Sequence, residues 1–103
     1  MRMMKSDMTS LAASAGDAAR MLRLLANEKR LLILCTLAAR GEVNVSDLAN
    51  EVELGMSALS QHLAKLRDDG IVEARKESQT VFYRVSDPDA AKILGVLKDI
   101  YCP

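Results

Sequence analysis

Residues 46–70, SDLANEVELGMSALSQHLAKLRDDG, decide the fold. Ser46 and Asp47 suit the start of a short helix carrying Leu48, Ala49 and Val52, since hydroxyl and carboxylate groups favour the positive end of a helix. Leu54 and Gly55 then read as a tight turn. Beyond it, Leu59, Leu63 and Leu66 recur at steps of four and three, which places them on one face of a second helix, and Gly70 is a favoured residue just past its end. Away from those leucines lie Ser57, Ser60, Gln61 and Lys65. Downstream, residues 71–76 and 80–85 are β-rich runs around Glu77, Ser78 and Gln79, the pattern of a hairpin. Short helix, tight turn, helix and hairpin in that order predict a mainly α fold with a β-hairpin wing. That is a winged helix-turn-helix, whose second helix reads the major groove.

The flanks supply the rest of one domain, expected over residues 10–103, with residues 1–9 polar apart from their methionines, aperiodic and frayed. From Ser10, Leu11, Ala15, Ala18, Leu22 and Leu25 form one helical stripe. Asn27 caps a second helix that is apolar all round from Leu31 to Cys35, and is therefore expected to be central and buried, before Gly41 stops it. Val43 and Val45 alternate briefly with polar neighbours. Asp87 caps and Pro88 opens a last helix striped by Ala90, Leu94, Leu97 and Tyr101. A 103-residue chain builds a small core that cannot cover both outer stripes. Leu11, Ala15, Ala18 and Leu22 of the first helix, with Leu94, Leu97 and Tyr101 of the last, are therefore expected at a homodimer interface.

Composition narrows the chemistry. Fourteen basic and fourteen acidic residues cancel, so a general coating of polyanions is excluded and any nucleic-acid contact must be local. Hydrophobic residues make up 50% of the chain and aromatic ones only 3%, which leaves no platform for stacking bases or sugars. No apolar stretch approaches the roughly 20 residues of a membrane helix, and no export signal is evident, so the protein is expected in the cytoplasm, away from membranes. Ser57, Ser60, Gln61 and His62 are the candidates for base edges or phosphates, with Lys65 and Arg67 as further phosphate contacts. Arg75, Lys76 and Gln79 flank the hairpin turn, where a wing could touch the backbone or the minor groove. The expected partner is double-stranded operator DNA with imperfect palindromic half-sites, matching a two-fold dimer.

Three stretches carry a resemblance: NEKRLLIL at residues 27–34, SALSQHLAKL at 57–66 and TVFY at 80–83. The chain from about Ala18 onward resembles the ArsR/SmtB winged-helix repressors. The LC at residues 34–35 and the YCP at 101–103 are similar to the persulfide-responsive branch of that family. The resemblance implies a dimer joined through its first and last helices. It also implies a Cys35/Cys102 dithiol switch that reactive sulfur donors convert to a tetrasulfide, releasing DNA. The metal sites of the family would need cysteines where Asn44 and Ser46 stand, or histidines in the last helix, and neither is present. Neither a metal nor a cofactor is expected.

On residues alone, Cys35 also fits as a small hydrophobe within an apolar helix, whereas Cys102 lies near the chain's end and open to water. Alternatives stay open: a metal-responsive or redox-insensitive regulator, an activator that relieves silencing, or a winged helix that meets only proteins. A thiol enzyme would need a CxxC motif or a base beside an activated cysteine, and neither is visible.

Overall fold

In the computed structural model, which describes residues 5–102 and their side chains from Asp7 onward, five helices and three strands follow one another. They are α1 (Lys5–Leu25), α2 (Glu28–Arg40), β1 (Val43–Asn44), α3 (Val45–Val52), α4 (Met56–Asp68), β2 (Val72–Glu77), β3 (Thr80–Val85) and α5 (Pro88–Tyr101). The expected mainly α winged helix-turn-helix is present. Residues 1–4 and Pro103 of the expected frayed end and the YCP stretch lie outside the described residues. From Lys5 onward the polar segment is helical rather than frayed, with Asp7 in the first turn, where an acid favours the helix dipole.

Local signals explain most boundaries. The Asn27 side chain accepts from the Arg30 N–H at 3.1 Å and starts α2. Asp87 accepts from Asp89 and Ala90 and Pro88 supplies the first residue of α5, as expected. Two details differ. α3 begins at Val45 because Asn44, not Ser46, is its cap, accepting from the Asp47 N–H at 2.9 Å. The left-handed residue of the following turn is Glu53 (φ 54°), whereas Gly55 is extended and caps α4 without a side-chain bond. After α4 the chain reverses through Gly70 (φ 76°), a conformation that glycine adopts without the Cβ clash.

The core draws on all elements but the first turns of α1. Ile33, Leu34 and Leu37 of α2 meet Leu48, Ala49 and Val52 of α3, the leucines 59, 63 and 66 of α4, and Ala90 and Leu94 of α5. The antiparallel sheet, in the order β1-β3-β2, closes one side with Val43, Ile71 and Val72 buried. The hairpin thus gains a third strand, with Val43 opposite Tyr83 and Asn44 opposite Phe82. On the wing, Val72 faces Val85, Arg75 faces Phe82 and Lys76 faces Val81. Helix α2 is not buried all round: Leu32 and Cys35 are exposed while Ile33, Leu34 and Leu37 are buried, because a 3.6-residue period turns one face of the helix away from the core.

Candidate nucleic-acid interface and thiol pair

The burial of Leu59, Leu63 and Leu66 forces the other side of α4 outward, and Ser57, Ser60, Gln61, Lys65 and Arg67 are all exposed there. His62 is half-buried on the flank of that row. Beside the start of α4, a concavity of about 360 Å³ opens between the first turns of α3 and α4 and the wing. Asn44, Ser46, Met56, Gln79, Thr80 and Val81 line it. Gln79 was expected at the wing tip. Ser46, Met56 and Thr80 were not, since the lining forms only when the hairpin folds back beside two helix starts that are distant in sequence.

The expected cations separate into two kinds. Lys76 and Arg67 are exposed and make no ion pair among the described residues. Lys65 pairs with Asp69 one turn on, at 3.0 Å, and Arg20 of α1 reaches the same carboxylate at 3.4 Å. The two cations hold Asp69 below the usual carboxylate range, the hydrogen bond from Lys65 being the largest cause. Arg75 departs from expectation. Its Nε and Nη2 donate to Glu42 at 3.1 and 2.7 Å, its Nη1 donates to Glu77 at 2.7 Å, and its guanidinium lies 4.7 Å from the Phe82 ring centre. Its charge is paired within the protein, while about half of the side chain stays exposed.

The thiols sit on neighbouring elements. Cys35 is on α2 and Cys102 caps the end of α5, two helices that pack together. Both are free and exposed. Partial shielding of the Cys35 sulfur raises its pKa above the ordinary thiol value, and a charge on Cys102 raises it further, so the two sulfurs feel each other. The apolar stripes also separate. Leu11, Ala15, Ala18 and Leu22 are exposed on α1, Tyr101 is 77% exposed, and Leu97 is half-buried. Leu94 is only 2% exposed and belongs to this chain's own core, so it cannot line an interface. Val96 and Ile100, which the stripe omitted, are open instead at 56% and 60%.

Residues 27–74, which span both helices of the turn motif and reach into β2, match the bacterial regulatory protein arsR family. The transcriptional activator HlyU of Vibrio cholerae is 43% identical over 93% of this chain and 88% of its own. The chain belongs to the ArsR family. The reduced form of that HlyU superposes with a TM-score of 0.85 at 44% identity, over 91% of this chain and 98% of HlyU. The transcriptional repressor BigR from Xylella fastidiosa superposes at 0.84 with 36% identity, over 98% and 99%. The transcriptional regulator YgaV of Escherichia coli is 36% identical over 95% and 99%.

This ArsR-family protein is therefore a DNA-binding transcription regulator and not an enzyme. Its α3, turn and α4 form the helix-turn-helix, and β2 and β3 form the wing. Among the described residues no group of three or more His, Cys, Asp or Glu side chains could hold a metal ion. No described helix is long and apolar enough to cross a membrane.

Proposed function

We propose that this ArsR-family regulator binds an imperfect palindromic operator as a homodimer and releases it when reactive sulfur donors link Cys35 to Cys102 within one subunit. The observation that carries this reading is the pair of free, exposed, electrostatically coupled thiols on packed helices α2 and α5. Linking them ties α2 to the end of α5, the helix whose outer apolar face is open for a second subunit. A dimer strapped in this way sets its recognition helices at a spacing that no longer fits half-sites about 34–36 Å apart. Ser57, Ser60 and Gln61 supply the base-edge contacts. Lys76, Gln79 and Arg67, with Lys65 and His62 at the flanks, meet the backbone.

The chemistry balances with a persulfide as the donor. Two persulfides pass their outer sulfur to the two thiols and leave as thiols. As the two protein persulfides join, a third donor takes up the electron pair and both protons and departs as a thiol and hydrogen sulfide. The product is a tetrasulfide bridge, longer than a disulfide. Zinc has no comparable ligand set here.

The test is mass spectrometry and DNA binding after separate persulfide, peroxide and zinc treatments. Persulfide is expected to add two sulfur atoms and remove two hydrogens while operator affinity falls. Cys35→Ser and Cys102→Ser each keep DNA binding and lose the response. Release of DNA by either serine variant on persulfide treatment would refute the switch. Repression is the output that release from DNA most directly relieves, as the description of BigR suggests. HlyU is described as an activator. A promoter reporter with and without the gene distinguishes the two signs.

A further inference from the structure

The wing carries two different faces. In a strand, alternate side chains share a side, so Glu73, Arg75 and Glu77 of β2 lie on one face with Phe82 and Arg84 of β3. Glu42, just ahead of β1, reaches the same face to pair with Arg75, and Arg84 pairs with Glu73. Three carboxylates against two guanidinium groups leave this face acidic in balance, which is unsuited to a polyanion. Lys76 points to the opposite face, across from Val81, and Val81 lines the concavity beside the first turns of α3 and α4. Of the two adjacent cations, Lys76 is the one that makes no ion pair among the described residues.

We propose that Arg75 is a positioning residue for the wing: its double bond to Glu42, its pair with Glu77 and its stacking on Phe82 lock the hairpin at the angle that brings Lys76 and the tip to DNA. This rests on the reading that the wing meets the operator. β1 offers only two residues of ladder to β3, so the backbone tie between the helical body and the wing is short. Arg75 crosses over β3 from β2 and grips the segment between α2 and β1, adding a tie on the far side of that ladder. All three guanidinium nitrogens already donate to carboxylates, which makes the contact directional as well as ionic. Two carboxylates thus already offset the charge of Arg75, whereas Lys76 makes no ion pair among the described residues. The hydrogen bond from Arg75 keeps Glu42 ionised below the usual carboxylate range, so the latch stays closed at neutral pH.

The experiment uses the duplex that the wild-type protein selects from random-sequence DNA, titrated over a range of salt concentrations. Arg75→Ala and Glu42→Gln are each expected to weaken binding by about three- to tenfold, the size of a geometrically good exposed ion-pair network, with the salt slope unchanged. The double variant is no weaker than Arg75→Ala alone, because Glu42 acts through Arg75. Arg75→Lys recovers part of the loss, keeping the cation without its fork. Lys76→Ala lowers the salt slope by about one, as loss of a phosphate contact does. The sign for Glu42 is decisive: removing an acid near DNA tightens binding on electrostatics alone and weakens it only if the latch matters. Tighter binding by Glu42→Gln, a slope lowered by about one in Arg75→Ala, or wild-type affinity in both would overturn the latch. Wild-type affinity and slope in Lys76→Ala would instead take the wing off the DNA, and the latch with it. Failure of the wild-type protein to select any duplex would sink the operator reading before either question arises.

Discussion

A single thiol carries a measurable imprint of its surroundings. Partial burial and the nearby Cys102 both disfavour the Cys35 thiolate. Its folded-state pKa therefore lies above the unfolded one. This contribution to stability is complete below the ordinary thiol pKa and is lost as pH rises through the higher folded value. Alkylation of Cys35 by iodoacetamide at neutral pH is accordingly expected to be slower in the native protein than in urea, with the gap closing at alkaline pH. Cys102→Ser removes the smaller cause, so the native midpoint moves down without reaching the unfolded value. Peptide-resolved labelling across pH checks this, and a native midpoint at or below the unfolded one would contradict it. The same protonation slows any attack by Cys35 at neutral pH, since a protonated thiol is a poor nucleophile.

At the scale of elements, the α3–α4 turn is the most informative. Its left-handed residue is Glu53, a side chain that carries the Cβ penalty, while the neighbouring Gly55 occupies an ordinary extended conformation. The residue at this position must reverse the chain while its N–H bonds back to Ala49, which fixes the angle at which α4 leaves α3. Glu53→Gly relieves the strain, worth roughly 1–2 kcal/mol, but adds flexibility to the unfolded chain, worth about 0.4–1 kcal/mol. The net expectation is a gain of about 0 to 1.6 kcal/mol. Urea unfolding at fixed protein concentration measures it. A clear loss of stability would mean that the Glu53 side chain supplies something besides the turn. Helix α2 makes a related point, since Leu32 at 44% exposure and Cys35 share its open side while Ile33 and Leu34 are sealed.

Over the whole molecule, the extents of 51 × 30 × 21 Å reflect α1 running out from the domain. Asp7 through Ala18 are exposed, while Leu24 and Leu25 of this helix are buried in the core and Met21 packs against it. A helix so isolated gains little from its own propensity and needs a second surface to pack against. The open apolar face of α5, with Val96, Ile100 and Tyr101, offers that surface to another copy. Ile100→Glu is expected to leave the fold intact, because the residue is 60% exposed, yet to shift the protein to monomer and weaken operator binding. Sedimentation gives the mass and anisotropy the affinity. A full-mass dimer in Ile100→Glu would place the interface elsewhere.

The order of elements was legible in the sequence because its signals are local. The leucine spacing of α4, the Asn27 and Asp87 caps, Pro88 and the β-branched runs of the wing each act within a few residues. The exposed polar row of α4 followed from the same period. Periodicity tells which residues share a face, but not what covers it. Leu94 and Leu97 share a stripe, yet Leu94 is sealed by its own domain and Leu97 only half so. Arg75 and Lys76 are adjacent and equally basic, and only the sheet, packed by one face and met by Glu42 on the other, pairs one with carboxylates and leaves the other without an ion pair among the described residues. Tertiary packing also turned Cys35 outward from a helix that reads as apolar all round. Composition and spacing thus determine which elements form, whereas burial and charge pairing depend on which distant segments meet, and that is decided only when the chain has closed on itself.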